Sequence, residues 1–181
     1  MEPHWPAFII LLVAILYGST MKVADLLDEH GLKWFRFAPL LFGILWGVFG
    51  GLLIIMGTKE FANAILAMNI AFIFRMRIDY KNHAVAVTII LITFLAFGEV
   101  DLFVFFLFFL IFIFFGSVKD HLGENPDRTN WLYLISEFGW YYVLPPFIYA
   151  LWSGHWNVFT GLLAYILSYN AVRYAASKGG E

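Results

Sequence analysis

The stretch Arg75-Met-Arg-Ile-Asp-Tyr-Lys-Asn-His83 is a dense group of charged residues between two strongly apolar segments. We call it the central polar segment. If the preceding helix continued through it, Arg75, Asp79 and His83 would recur at every fourth position and share one face. Charged residues are costly in hydrocarbon, so this segment is expected at a membrane surface, with helices leaving it on both sides.

The composition supports a membrane protein. Of the 181 residues, 62% are hydrophobic and 13% are charged, whereas soluble domains carry about 25% charged residues. The formal net charge is −2, with no basic arm, which argues against nucleic acid as a partner. The absence of cysteine excludes disulfides and thiolate metal sites.

Seven apolar segments predict an all-α integral membrane protein with seven transmembrane helices in one domain, 1–181. The first segment lacks a basic leader, so we interpret it as a retained helix. The predicted helices cover residues 6–21, 34–56, 61–76, 84–98, 102–116, 131–152 and 156–175.

The apolar region 84–116 is interpreted as a hairpin of two helices. As one helix it would be about 50 Å long, which exceeds a hydrocarbon core of about 30 Å. Glu99 and Asp101 interrupt it and are expected to cap the turn rather than bind an ion.

Glycine and proline patterns predict two further features. Gly43, Gly47 and Gly51 recur at four-residue spacing and indicate a ridge for close helix packing. Pro145 and Pro146 are expected to kink the sixth helix or end its regular part.

The distribution of cations predicts the orientation. Seven crossings place one cation, Lys59, on one side of the membrane and the other ten of the 11 Lys and Arg residues on the other. The positive-inside rule then puts the C-terminus in the cytoplasm and the N-terminus outside, in a multi-pass protein of the cell membrane. The ten are Lys22, Lys33, Arg36, Arg75, Arg77, Lys81, Lys119, Arg128, Arg173 and Lys178.

Three polar segments, 25–30, 75–83 and 119–128, are thereby expected on the cytoplasmic side. Each alone is also what a solvated loop would show, but short loops hold their charges close together. Carboxylates suit Mg²⁺, which proteins bind through one or two carboxylates together with substrate phosphates. The predicted Mg²⁺ ligands are Asp25, Asp28, Asp79 and Asp120.

Basic residues of these segments are candidate phosphate ligands, because a guanidinium can bind phosphate with two parallel hydrogen bonds. The predicted substrate-binding residues are Arg75, Arg77, Lys81, Arg128 and Asn69. His83, with His121 as an alternative, is the candidate general base, and Asp79 is also a candidate catalytic residue.

Glu137 is a third candidate catalytic residue. It lies about 10 Å along the predicted sixth helix, where an ionised carboxylate needs a partner or a cavity. Arg75, Arg77 and Arg173 are its expected partners, and Asn69 and Asn170 are expected to complete a polar pocket. A structural ion pair between helices is the alternative interpretation.

Two of the acidic loops resemble those of the UbiA-type intramembrane prenyltransferases, in which two Asp-rich motifs hold Mg²⁺ and a prenyl diphosphate. The residues concerned are Asp79, Asn82, Asp120 and the pair Asp127 and Arg128. The Asn-Asp-x-x-Asp core of that family is missing, and the chain is too short for its nine helices. The resemblance covers two short loops and implies a similar chemistry.

These observations predict a membrane-embedded enzyme that acts, with a divalent metal, on a phosphate-bearing lipid or isoprenoid at the cytoplasmic leaflet. The first alternative is a small ion- or proton-coupled transporter that uses Glu137. The second is a non-catalytic subunit of a membrane complex that uses the Phe-rich segment 102–116 as an interface.

Overall fold

The computed structural model describes residues 5–29, 31–124 and 131–178. Over these ranges the chain is helical, without a strand, which confirms the all-α prediction. The helices are α1 (Ala7–Asp28), α2 (Ala38–Met56), α3 (Lys59–Phe74), α4 (Lys81–Phe97), α5 (Leu102–Glu124), α6 (Trp131–Phe138), α7 (Leu144–Ser153) and α8 (Trp156–Lys178), with a 3₁₀ turn at Trp140–Tyr142.

Three helices in the described ranges are long and apolar enough to cross a membrane. They are α1, α2 and the Leu102–Gly123 part of α5, and α4 is a shorter apolar helix. This confirms a membrane-embedded protein.

The turn at 98–101 separates α4 from α5, which confirms the predicted break, but α4 packs against α2 and α5 against α3 rather than against each other as in a hairpin. Asp101 caps α5, since its Oδ1 accepts a hydrogen bond from the Val104 amide at 3.1 Å. The buried Asn63 of α3 holds the turn from the side: its Nδ2 donates to the Glu99 carbonyl at 2.7 Å, and its Oδ1 accepts from the Asp101 amide at 3.0 Å. The predicted capping role of Asp101 is therefore confirmed.

The glycine ridge of α2 packs against α4, as predicted. A Cβ added to Gly43 would lie 2.6 Å from the Asn82 carbonyl oxygen, and one added to Gly51 would lie 2.9 Å from the Thr93 hydroxyl. Gly47 faces Ala86 in the same way. The ridge thus brings the start of α4, which carries His83, close to α2.

Three predicted helix ends were wrong. Helix α5 does not end at residue 116 but continues to Glu124, so Asp120 lies on a helix and not in a loop. Helix α1 does not end at residue 21 but continues to Asp28, because Lys22 and Asp25 are buried by tertiary partners. Helix α3 ends at Phe74, and residues 75–80 are not helical. Arg75, Asp79 and His83 therefore do not form a stripe on one helix.

The predicted sixth helix, 131–152, is interrupted upstream of its prolines. Helix α6 ends at Phe138, and Gly139 adopts a left-handed conformation with φ 77°, which glycine adopts without the steric cost of a side chain. The Asn170 amide of α8 donates to the Phe138 carbonyl at 3.0 Å, so one carbonyl at this break is satisfied. Pro145 and Pro146 lie in the first turn of α7, where a missing N–H costs little.

Candidate functional site

Asp25, Glu29 and His83 form what we call the acid–histidine cluster. His83, in the first turn of α4, directs its Nε2 towards the end of α1, 3.2 Å from Asp25 Oδ1 and 3.7 Å from Glu29 Oε1. One ligand atom from each residue lies within 4.8 Å of the other two. Asp25 lies in the last turn of α1, and Glu29 follows directly after the helix, four residues later. This spacing brings both carboxylates to one imidazole.

The ring of His83 is held in a defined orientation. Its Nδ1 lies 3.0 Å from the Arg77 carbonyl oxygen, which can only accept a hydrogen bond, so Nδ1 carries a proton. Asp79 Oδ1 lies 3.4 Å from the same nitrogen. Trp46 and Tyr80 both make edge contacts with the ring. Nε2 is thereby fixed towards the two carboxylates.

Asp25 is positioned by groups on two helices. Its Oδ2 accepts a hydrogen bond from the Tyr169 hydroxyl of α8 at 2.7 Å and lies 3.7 Å from the buried Lys22 ammonium. The Asn82 amide donates to the Ala24 carbonyl at 3.0 Å and fastens α4 to α1 beside it. Because Oδ2 is engaged in this way, Oδ1 is the oxygen directed at His83.

Glu29 lies next to a carboxylate of the same charge. Burial of its side chain raises the pKa of Glu29, and the Asp25 carboxylate raises it further, while His83 and Lys22 act in the opposite direction. An added cation between the two carboxylates would relieve this repulsion.

Arg75, Arg77 and Asp120 form what we call the arginine clamp. Arg75 Nε and Nη2 donate to Asp120 Oδ2 at 2.9 and 2.7 Å, and Arg77 Nε and Nη2 donate to Oδ1. The hydrogen bond to Asp120 raises the pKa of Arg77. The Arg75 guanidinium passes over Gly116 of α5, and a Cβ at that position would collide with it. The clamp therefore joins the end of α3 to α5.

The cluster and the clamp lie on one cavity of about 170 Å³. Two elements supply its inner wall of tyrosines, namely the 3₁₀ turn, with Tyr141 and Tyr142, and α8, with Tyr165 and Tyr169. A second cavity of about 570 Å³ shares Glu29, Lys119 and Tyr169 with the first. The second cavity is also lined by Lys22 and Arg173, so a cationic surface adjoins the acid–histidine cluster.

The structure brings together only some of the predicted metal ligands. Asp25 is in the acid–histidine cluster, and Asp79 is half-exposed beside His83. Asp120 is held by both arginines of the clamp. Asp28 lies outside the acid–histidine cluster, and Glu29 is the second carboxylate there instead.

The predicted substrate-binding residues are also divided. Arg75 and Arg77 line the first cavity, whereas Lys81 is exposed at the start of α4. Asn69 is fully buried in α3, where it bonds to the Ile65 carbonyl and the Tyr17 hydroxyl. Arg128 lies outside the described residues. Glu137 lies in α6, but its side chain is outside the described set.

The sequence analysis did not select Glu29, Lys22 or Tyr169 as site residues. Glu29 follows Asp25 by four residues and Asp28 follows it by three, and the choice between them depends on how α1 faces α4. Tyr165 and Tyr169, spaced by four residues in α8, were the available signal for a polar wall.

Comparisons with protein-family models, with curated proteins and with solved structures found no match to this chain. The chemistry of the cavity is therefore inferred from its own side chains. Two carboxylates and an imidazole can hold a divalent cation, and guanidinium and ammonium groups on the same cavity can bind an oxyanion.

Proposed function

We propose that this protein is a membrane-embedded enzyme that acts on a phosphate-bearing lipid or isoprenoid at the cytoplasmic leaflet, assisted by a divalent metal ion. One observation supports the proposal above the others: a single cavity is lined by the acid–histidine cluster, by both arginines of the clamp and by Lys119. Groups that bind a cation and groups that bind an oxyanion thus face the same space.

The charges of this cavity suit phosphoryl chemistry. A divalent ion bound by carboxylates polarises a phosphoryl oxygen and stabilises charge that develops on it. The Arg77 side chain is half-exposed, and it shares Asp120 with Arg75, so it can contact a phosphate without abandoning the clamp. Arg77 and Lys119 would then bind phosphate oxygens opposite the ion.

The neighbouring cavity supports the proposal that the head group of a lipid substrate binds here. Lys22, Lys119 and Arg173 line it together with apolar residues of α1 and α8. Cations beside apolar side chains at the end of a bundle match the boundary between head groups and acyl chains. A phosphate there would lie next to Glu29, which borders both cavities.

Seven crossings, with the cavity in the cytoplasm and the N-terminus outside, are part of the proposal. The three long apolar helices and α4 account for four crossings, and α3, the interrupted α6–α7 segment and α8 would supply the others. The chain has no cysteine, so single-cysteine variants can be labelled without a background. Cysteines at Lys81 and at Glu99 should react with an impermeant maleimide from opposite sides of the membrane.

Native mass spectrometry of the gently extracted protein, with and without added divalent ion, is the direct test of function. We expect a phospholipid or prenyl phosphate to be retained, more strongly with the ion, and to be lost in Arg77→Gln. Lys59→Gln, at the other end of the bundle, is the matched control and should retain it. The identified lipid then becomes the substrate for a turnover assay.

Three results would contradict the proposal: no retained phosphate-bearing lipid, retention that ignores the ion, or equal retention in Arg77→Gln. Ion flux in liposomes that is abolished by Glu137→Gln would instead favour the transporter. A stoichiometric partner protein would favour the role of a non-catalytic subunit.

A further inference from the structure

The hydrogen-bond partners of His83 restrict what its Nε2 atom can bind. Nδ1 of His83 is committed to the Arg77 carbonyl, and Nε2 faces Asp25 and Glu29, which accept hydrogen bonds when ionised. Two arrangements satisfy Nε2. Either the ring carries a second proton, or the Nε2 lone pair binds a cation that the carboxylates share.

The distances fit a shared cation. Ligand atoms about 2.1 Å from an ion lie about 3.0 Å apart at a right angle and about 3.4 Å apart at a tetrahedral angle. His83 Nε2 is 3.2 Å from the Asp25 oxygen and 3.7 Å from the Glu29 oxygen. Small adjustments of side chains that are already close would complete the site.

The groups around the ring also fit a metal ligand. A histidine that binds a metal generally donates its other N–H to a backbone carbonyl or a carboxylate, and Arg77 and Asp79 provide both at Nδ1. Asp25, similarly, is oriented by the Tyr169 hydroxyl.

Carboxylates crowd the imidazole. Those of Asp25, Glu29 and Asp79 all lie within 3.7 Å of it, and Lys22 is an ammonium in contact with Asp25. Arg77 faces the cluster through its carbonyl, and its guanidinium, which is engaged by Asp120, also acts on the Glu29 and Asp79 carboxylates. A divalent ion held among three carboxylates would neutralise more of their charge than a single proton does.

We infer that Asp25, Glu29 and His83 form a binding site for a divalent transition-metal ion of the Mn²⁺ or Zn²⁺ class. An imidazole nitrogen suits these ions, whereas Mg²⁺ prefers an all-oxygen shell. Tyr169 is a positioning residue that orients Asp25. The inference deepens the proposed function, on which the catalytic use of the ion rests, but binding is measured without any substrate.

The test uses the full chain in detergent, stripped with EDTA and titrated with Mn²⁺, with free Mn²⁺ followed by electron paramagnetic resonance. We expect one saturable Mn²⁺ per chain. Pulsed measurements should show coupling to one imidazole nitrogen, a signature that a purely structural ion pair cannot produce. Mg²⁺ should displace Mn²⁺ only when present in large excess.

Variants identify the ligands. His83→Gln and Asp25→Asn should weaken Mn²⁺ binding by at least about 100-fold, and Tyr169→Phe, which keeps all three ligands, by about 10-fold. Asp28→Asn is the matched control one turn along α1 and should bind as the unaltered chain does. If a ligand variant fails to fold, the nitrogen coupling in the unaltered chain and the Tyr169→Phe titration still decide the matter.

The inference is overturned if the stripped protein shows no saturable site, if bound Mn²⁺ shows no nitrogen coupling, or if Mg²⁺ binds as tightly as Mn²⁺. Unchanged affinity in folded His83→Gln would overturn it as well. If Mn²⁺ binds but no phosphate-bearing lipid is retained, the metal site is supported and the proposed function is refuted. If lipid retention requires Mg²⁺ and the bound ion shows no coupling to an imidazole, the proposed function is supported and the metal site is refuted.

Discussion

The two ends of the helical bundle use polar side chains differently. At the turn end, formed by 58–63, 98–101 and 155–157, polar groups close the chain upon itself: Asn63 holds the α4–α5 turn, and Asn157 donates to the Thr58 hydroxyl at 2.6 Å. At the histidine end, formed by 22–29, 75–83 and 116–120, three carboxylates surround one imidazole.

The two ends differ in what their clustered polar side chains contact. Both ends gather polar residues at helix termini, and both are well bonded. At the turn end the amide side chains bond to backbone groups and to a hydroxyl across the loops, so these contacts serve the fold. At the histidine end three carboxylates lie within 3.7 Å of one imidazole, and this local crowding of acceptors, rather than the number of polar residues, is the basis for inferring a cation site.

The largest expected effect comes from Asp120→Asn, which removes the charge that both arginines of the clamp share. The Arg75 side chain is only 6% exposed, and leaving such a charge without its partner costs about 3 to 5 kcal/mol. We expect the free energy of unfolding, measured by denaturant titration in mixed micelles, to fall by that amount.

Asp101→Asn is the matched control at the turn end. Asn caps helices as well as Asp does, and the Lys59–Asp101 ion pair is partly exposed at 4.0 Å, so the loss should stay below about 1 kcal/mol. Similar losses in the two variants would refute the claim that the ends differ.

Substitution of two glycines of α2 should lower stability by an intermediate amount, and the two variants should differ in Mn²⁺ binding. Gly43→Ala and Gly51→Ala each force α2 and α4 apart and should each cost about 1 to 2 kcal/mol. A Cβ at Gly43 would push against Asn82, which precedes His83, whereas a Cβ at Gly51 would push against Thr93, further along α4. Only Gly43→Ala should also weaken Mn²⁺ binding.

Gly123→Ala controls for the substitution itself, since no atom lies within 4 Å of the added Cβ. It should leave both stability and Mn²⁺ affinity close to those of the unaltered chain. Equal Mn²⁺ affinities in Gly43→Ala and Gly51→Ala would show that the metal site tolerates movement of α4.

The smallest effect is expected for Glu60→Gln at the turn end. Its carboxylate lies 3.5 Å from His155 Nδ1, and that histidine is 41% exposed. Such a pair contributes less than about 1 kcal/mol, and it lies at the opposite end from the cavity. Thermal unfolding should shift only slightly, and Mn²⁺ titration should not change; a changed titration would contradict the separation of the two ends.

Much of the fold followed from local patterns. The break at 98–101 was predictable because hydrocarbon thickness limits helix length, and the glycine ridge because its spacing makes a smooth face. The continuation of α1 through Lys22 and Asp25 was not predictable, because burial of those charges depends on Tyr169, 144 residues away from Asp25. Local polarity suggested a loop, and tertiary contacts made a helix.

The candidate site was predictable only in outline. Asp25, Arg75, Arg77 and His83 were identified from their residue types, and the structure places all four on one cavity. The pairing of His83 with Asp25 and of Arg75 with Asp120 depends on which helices are neighbours, and a single sequence contains no record of that. The interruption at Gly139 was missed because the apolar pattern continues through it.

That interruption has a consequence for hydration. Gly139 borders the cavity, and around it the backbone leaves the regular helical ladder. Hydrocarbon cannot satisfy backbone amides and carbonyls outside such a ladder, so irregular backbone is tolerated in a bilayer only where it is buried in protein or lines a wet space. Because Gly139 lines the cavity, we expect water that enters the cavity to reach this backbone, and amide protons at 139–143 should exchange faster than those of α2.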